Sequence, residues 1–214
     1  MDQSLRISEI FYSLQGETNT VGIPTVFVRL TGCPLRCNYC DTEYAFTGGE
    51  KLSFQQIIEH IQHYKTAYVT ITGGEPLAQP ACHDLMVKLL DLGYTVSLET
   101  SGALDVSLVD SRVVKVMDLK TPSSGEMARN RYDNLAYITA QDQIKFVIAD
   151  DADYQWSKAV AEQYGLYASC QVLFSPVMNV MPATELAEKI LADQLAVRFQ
   201  IQLHKYLWND ARGK

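Results

Sequence analysis

Three cysteines, Cys33, Cys37 and Cys40, fall within a single loop-like stretch of a 214-residue chain, Thr31-Gly32-Cys33-Pro34-Leu35-Arg36-Cys37-Asn38-Tyr39-Cys40-Asp41-Thr42. The C-x3-C-x2-C spacing, in a segment shaped by Gly32 and Pro34, lets three thiolates converge on one metal centre. A structural zinc site wants a fourth ligand, and the nearest histidine in sequence is His60. A [4Fe–4S] cluster held by three cysteines instead leaves one iron open to a small-molecule ligand. Zinc completed by Asp41 or a distant histidine, and three inert reduced thiols, are the alternatives. The remaining cysteines, Cys82 near a helix start and Cys170 at the head of a strand, read as small hydrophobes.

The elements that must position this loop follow from hydrophobic periodicity. Strand patterns recur at Val26–Thr31, Ala67–Thr72, Tyr94–Glu99, Val113–Leu119, Gln143–Ala149, Cys170–Ser175 and Val197–Leu203, with a further one over Leu5–Tyr12. Helical patterns lie between them. Phe54, Ile57, Ile58 and Ile61 form a stripe in Ser53–Lys65, with Ser53 and Gln56 as a capping box. Leu85, Met86, Leu89 and Leu90 mark a second helix ended by Gly93. Further helices are predicted over Ala152–Tyr164, closed by Gly165, and over Pro182–Ala192. Lys120–Asp142 lacks periodicity and reads as loop with a short helix. This alternation implies an α/β fold with a mostly parallel sheet and helical crossovers.

Polar residues collect where the strands end. Cys33 follows the first clear strand, Gly73-Gly74-Glu75-Pro76 the second and Glu99-Thr100-Ser101-Gly102 the third. Asp118-Leu119-Lys120 closes the fourth, Ser175-Pro176 the sixth and His204 the seventh. Parallel α/β sheets bind ligands at the carboxyl ends of their strands, so one site spanning the sheet is expected. Length and the lack of repeats or linkers predict a single domain over 1–214. A net charge of −7 argues against a general grip on nucleic acid. No apolar run is long enough for a membrane span. The first residues show no signal-peptide pattern, so the expected location is cytoplasmic.

The cysteine spacing resembles that of the radical S-adenosylmethionine (SAM) superfamily. The resemblance implies an incomplete (β/α) barrel, smaller than the eight-stranded form, carrying a [4Fe–4S] cluster on Cys33, Cys37 and Cys40. It implies S-adenosylmethionine chelated to the open iron and cleaved to a 5′-deoxyadenosyl radical. Tyr39 takes the aromatic slot that lines the adenine. Gly73-Gly74-Glu75-Pro76 resembles the superfamily segment that meets the methionyl amino group; two glycines permit close backbone approach, and Glu75 can accept from an ammonium. Glu99 and Ser101 are assigned to the ribose and methionyl groups, and Cys40, Asp41, Gly74, Lys120 and Ser123 complete the cofactor set.

Glu9-Ile10-Phe11-Tyr12-Ser13-Leu14-Gln15-Gly16-Glu17, Cys40-Asp41-Thr42, Asp118 through Gly125, Gln143 through Val147 and Gln202 through Tyr206 narrow the likeness. In this order they resemble the 7-carboxy-7-deazaguanine synthase family, over nearly the whole chain. That family is a carbon–nitrogen lyase of queuosine-type deazapurine biosynthesis, a tRNA-modification pathway. It converts 6-carboxy-5,6,7,8-tetrahydropterin to 7-carboxy-7-deazaguanine with loss of ammonia. The implied substrate contacts are Leu14, Gln15 and Gly16 on the pterin edge, Arg29 on the carboxylate, and Thr72. Magnesium is implied as well. Chemistry alone chooses Asp41 for a hard cation, whereas the resemblance assigns the Thr42 hydroxyl and leaves Asp41 to S-adenosylmethionine or a supporting role.

The resemblance further implies a homodimer and a flavodoxin or ferredoxin as electron donor. His60, His63 and His83 read as solvated helix residues, and His204 stays open between a functional and a structural role. In relatives the final carboxylate approaches substrate; the tail here, Asn209-Asp210-Ala211-Arg212-Gly213-Lys214, is not expected to do so. A glycyl-radical activase shares the cysteine spacing but has no use for Leu14–Glu17, Arg29 and Thr42. A zinc-stabilised interaction module is the non-enzymatic alternative.

Overall fold

The computed structural model describes residues 3–209 and 211–214. Nine strands form one sheet: β1 (Ser4–Leu14), β2 (Pro24–Leu30), β3 (Glu50–Ser53), β4 (Tyr68–Gly73), β5 (Thr95–Thr100), β6 (Val114–Asp118), β7 (Gln143–Ile148), β8 (Gln171–Pro176) and β9 (Arg198–Phe199). Their order is β3-β1-β2-β4-β5-β6-β7-β8-β9, open at both ends. From β2 to β9 every neighbouring pair is parallel. This bears out the mostly parallel α/β expectation.

The helices follow the predicted stripes. In α1 (Phe54–Gln62) the apolar positions Phe54, Ile57, Ile58 and Ile61 are all buried, and both halves of the Ser53–Gln56 capping box are made. Burying each such side chain contributes roughly 1.5–3 kcal/mol, so the stripe fixes which face meets the sheet. In α2 (Cys82–Asp91), Cys82 opens the helix inside the core, and Gly93 beyond its end has φ +90°. α3 (Asp151–Gln163), α4 (Leu166–Ser169), α5 (Ala183–Ala192) and α6 (Leu203–Trp208) complete the set. Between β6 and β7 the aperiodic stretch winds into three short 3-10 turns, Pro122–Ser124, Met127–Arg129 and Tyr132–Tyr137.

Two expectations are corrected. The edge beyond β2 is antiparallel: β1 pairs with both β2 and β3, and β3, four residues with two charges, has no readable alternation. At the other edge the Val197–Leu203 strand shrinks to Arg198–Phe199. Beyond Phe199 the chain leaves the sheet, because the Gln200 N–H donates to Phe174 O and the Leu203 N–H to Gly16 O. His204 therefore lies in the first turn of α6, not at a strand end.

Strand alternation gives the sheet two unlike faces. Val26, Val28, Leu30, Ile71 and Leu98 are fully buried in the apolar core. The intervening positions carry polarity: Glu9 pairs in register with Arg29, Arg29 with Thr72, Thr70 with Ser97, and Asp118 with Lys145. Charged residues on interior strands need an occupant or each other.

Candidate active site

Above the carboxyl ends of β2, β4, β5 and β6 lies a cavity of about 750 Å³ whose lining includes Cys33, Cys37 and Cys40. The cysteine loop is clasped on two sides. On the β4 side the Glu75 N–H donates to Gly32 O at 2.7 Å, and a Cβ on Gly74 would lie 2.3 Å from Gly32 O and 2.8 Å from Cys33 Cβ. Only glycine fits there. Across the cavity, the Asn38 N–H donates to Ser124 O and its Nδ2 to Ser123 O, both at 3.0 Å. Arg36 stacks on Phe46, its guanidinium carbon 4.1 Å from the ring centre.

All three thiols are unbonded and partly buried, and burial pushes each one up from the ordinary thiol range. Among the described residues no three His, Cys, Asp or Glu side chains are close enough to hold one metal ion. Three thiols with no fourth Cys or His beside them among the described residues are one ligand short of a structural zinc site. Three thiolates on one cavity are the donor set that a [4Fe–4S] cluster with one open iron takes. Cys82 is fully buried under α2 and Cys170 lies outside the cavity.

Tyr39 lies between the cysteine loop and β7, its hydroxyl 3.3 Å from Thr121 Oγ1 and 3.4 Å from Val147 O. Burial pushes its phenol up to about 12, so it stays a neutral, ring-faced wall. Lys120 Nζ pairs with Asp118 Oδ2 at 2.6 Å inside the cavity. Ser123 is not part of the lining. Its hydroxyl donates to Asp150 Oδ2 at 3.1 Å and its N–H to Asp153 Oδ1 at 2.9 Å, so here it anchors the turn that grips Asn38.

Glu75 departs from its expected place at a ligand ammonium. The side chain is fully buried, and its carboxylate accepts from the Thr100 hydroxyl at 2.9 Å, the Ser101 N–H at 2.7 Å, the Ser101 hydroxyl and the Leu77 N–H at 3.0 Å. Four donors leave it no free lone pair toward the cavity. It staples the ends of β4 and β5 together, and Gly74, Thr100 and Ser101 are what face the cavity.

Deeper on the same face is a polar floor. Gln15 is buried; its Oε1 accepts from the Gly16 and Glu17 N–H groups at 2.8 and 2.9 Å, and its Nε2 donates to Thr70 Oγ1 and Glu99 Oε1. Its amide thus shapes the Leu14–Glu17 turn. Thr72 Oγ1 donates to Glu99 Oε2 at 3.0 Å. Burial, reinforced by the nearby Glu17 charge, pushes the Glu99 carboxyl up. Glu99 therefore belongs with the Gln15–Thr72 floor. Glu17 is ion-paired to Lys145; burial works to raise its carboxyl, but the Lys145 ammonium outweighs that and holds it below the ordinary range.

Arg29 points its Nε at Glu9 Oε1, 2.8 Å away, while its terminal amino groups make no hydrogen bond to the described residues. Tyr44 donates to the same Glu9 oxygen at 2.7 Å. The Thr42 hydroxyl donates to Asp41 Oδ1 at 2.8 Å, and the other Asp41 oxygen accepts from Lys205 Nζ at 2.7 Å and Gln202 Nε2 at 3.0 Å. Asp41 is thus committed to α6, and Thr42 keeps oxygen lone pairs for a cation. His204 Nδ1 lies 3.6 Å from Glu17 Oε1. Ala211, Arg212, Gly213 and Lys214 also line the cavity.

Sequence reasoning did not reach Glu9, Tyr44, Phe46, Gln202, Lys205 or the Val177–Val180 loop as lining residues. Glu9 and Tyr44 carried a signal, a carboxylate in a strand and an aromatic just after the cysteine loop. Phe46 follows Tyr44 closely, Gln202 and Lys205 lie in a segment that carried the resemblance, and the Val177–Val180 loop carried no signal.

A 7-carboxy-7-deazaguanine synthase from Chlorobaculum tepidum is 43% identical over 98% of this chain and 97% of that protein. The chain belongs to the 7-carboxy-7-deazaguanine synthase family. A second family member, from Koribacter versatilis, is 42% identical over 95% of this chain and 97% of its own. The radical SAM superfamily profile matches residues 27–118, the span from β2 through the cysteine loop to β6. Among solved structures, QueE from Escherichia coli superposes with a TM-score of 0.78 at 23% identity, covering 93% of this chain and 94% of that one. Streptococcus suis SuiB bound to S-adenosylmethionine gives 0.56 at 13% identity over 79% of this chain and 48% of that one. These two likenesses are of fold. The family relatives do not favour the activase and zinc-module readings.

Proposed function

We propose that this chain is a radical SAM carbon–nitrogen lyase that converts 6-carboxy-5,6,7,8-tetrahydropterin to 7-carboxy-7-deazaguanine with loss of ammonia, in the queuosine pathway. The observation that carries the reading is one cavity lined at once by three free thiols and by Arg29, whose terminal amino groups make no hydrogen bond to the described residues. That pairing sets a candidate redox centre beside a candidate anion site, in a chain whose relatives are 7-carboxy-7-deazaguanine synthases.

Cys33, Cys37 and Cys40 would hold the [4Fe–4S] cluster, with S-adenosylmethionine against Tyr39, Gly74 and Ser101. When bound, the pair supplies one-electron chemistry that generates a hydrogen-abstracting adenosyl group. The chain's own task is to position and shield. Arg29 holds the substrate carboxylate; Leu14, Gln15 and Gly16 present the turn against which the heterocycle lies. Glu99, kept toward its neutral form by burial, and the Glu17–Lys145 pair supply a polar floor able to hold or move a proton at the ring nitrogens. Neutral Tyr39 contributes no competing charge.

Magnesium would take the Thr42 hydroxyl, the substrate carboxylate and waters, with Asp41 fixed behind it by Lys205. The chain acts as one radical SAM domain over residues 1–214, as a homodimer in the cytoplasm, reduced by a flavodoxin or ferredoxin. Among the described residues no helix is long and apolar enough to cross a membrane. The test is anaerobic turnover of the carboxypterin with S-adenosylmethionine and reductant, with and without magnesium. Formation of 7-carboxy-7-deazaguanine supports the reading; iron-loaded protein that cleaves S-adenosylmethionine but leaves the pterin intact defeats it.

A further inference from the structure

Four cations at the cavity pair with its carboxylates, and among the described residues Arg212 and Lys214 do not. Arg29 is matched by Glu9, Lys120 by Asp118, Lys145 by Glu17 and Lys205 by Asp41. Glu99 has hydroxyl and amide partners and is held toward neutrality. Arg212 lines the same cavity and has no carboxylate partner among the described residues. Its guanidinium carbon sits 4.0 Å from the centre of the Tyr44 ring, a face-on cation–π contact. The same ring lies 6.0 Å from the Arg29 guanidinium. Tyr44 is thus shared between two arginines, Arg29 paired to Glu9 and Arg212 with no carboxylate partner among the described residues.

The path of the tail is built in. Gly213 has φ +69°, a conformation that suits glycine, and a Cβ placed there would lie 3.8 Å from Phe11 Cβ. Phe11 in turn stacks on Phe27 with ring centres 4.9 Å apart. Gly213 thus passes beside Phe11 of β1, next to Arg212 on the Tyr44 ring.

We propose that Arg212 is a specificity-determining residue, a second guanidinium for the substrate carboxylate, perched on Tyr44. This rests on the lyase reading above and deepens it. A carboxylate at Arg29 meets a guanidinium already balanced by Glu9; Arg212 adds a second guanidinium, and with it a further charge-assisted contact beside the proposed magnesium. Arg212 would therefore distinguish carboxylated from plain pterins, and it acts on binding more than on the chemical step.

The experiment reads binding, not turnover, on the reconstituted holoenzyme with S-adenosylmethionine and magnesium present. Fluorescence titration compares 6-carboxypterin with pterin, which lacks the carboxylate, on the parent, Arg212→Ala and Arg212→Lys. The expected result is about a tenfold weaker 6-carboxypterin affinity for Arg212→Ala, unchanged pterin affinity, and substantial recovery in Arg212→Lys. Equal 6-carboxypterin affinity in Arg212→Ala and parent overturns the proposal. So does an equal loss for both pterins, which would make the tail a cover without charge recognition. A parent that binds neither pterin contradicts the lyase reading itself and removes the basis for the proposal.

Discussion

Asp41, one residue beyond the last cysteine of the loop, is held 2.7 Å from Lys205 of α6, a helix more than 160 positions further along the chain. That contact locks the end of the cysteine loop to the element that closes the cavity. Burial works to raise the Asp41 carboxyl, but Lys205, Gln202 and Thr42 outweigh it and hold it well below the ordinary carboxylate range. A depressed folded-state value contributes stability above the unfolded value, and that stability fades as the pH falls toward the folded one. The Asp41 side chain is 41% exposed, so screening keeps the effect to about 1 kcal/mol. Asp41→Asn should lower Tm at pH 7, and the gap to the parent should narrow steadily below about pH 4. Thermal melts across pH 2.5–8 (chosen around that window) check this; a gap that widens in acid contradicts it.

Cys33→Ala, Cys37→Ala and Cys40→Ala should each lose most of the iron after anaerobic reconstitution and abolish turnover. Cys82→Ala and Cys170→Ala should retain it. For Cys82, buried in the α2 core with its thiol pushed up to about 12 by burial, the cost should be about 1 kcal/mol of packing. Iron content and melting temperature, read together, separate the two groups; loss of iron in folded Cys82→Ala would overturn the ligand set.

Gly74→Ala tests the clasp between β4 and the cysteine loop. The new methyl would press on Gly32 O and Cys33 Cβ at 2.3 and 2.8 Å, so the loop must move. Cluster retention should fall several-fold in a protein that still folds, as judged by circular dichroism and iron assay. Full cluster occupancy in this variant would mean that the loop yields without affecting its ligands.

Glu75→Gln keeps the shape and turns one acceptor into a donor facing donors. With Thr100, Ser101 and Leu77 all aimed at it, the expected loss is about 2–3 kcal/mol of stability, seen as a lower denaturant midpoint. S-adenosylmethionine affinity should fall only in step with that loss. A large drop in affinity at unchanged stability would instead put the carboxylate on the ligand.

Thr42→Val retains the β-branched shape and removes one oxygen. Folding and cluster assembly should persist, while magnesium activation of product formation falls at least tenfold. Thr42→Ser should recover much of it. If Thr42→Val follows the parent in a magnesium titration and Asp41→Asn does not, the carboxylate is the ligand.

The local order of this protein is written in short-range pattern. The stripe of Phe54, Ile57, Ile58 and Ile61 selects a helix and its buried face, because helical periodicity needs no distant partner. The alternation along β2 places Arg29 on the opposite face from Val28, and the three cysteines share a loop by spacing alone. Contacts across the sheet were decided elsewhere. The alternating Val197–Leu203 stretch has strand form, yet only Arg198 and Phe199 pair, since strand length depends on a neighbour that continues alongside. Glu75 is a free acceptor in sequence and a fully satisfied staple in the fold, because Thr100 and Ser101 come from the next strand. Asp41 and Lys205, Glu17 and Lys145, and Tyr44 and Arg212 meet only when parallel crossovers and the turn after Phe199 bring far-apart segments over one end of the sheet. Residue type and spacing determined what chemistry the chain can hold; tertiary packing decided which charges are already paired, and so which remain for a ligand.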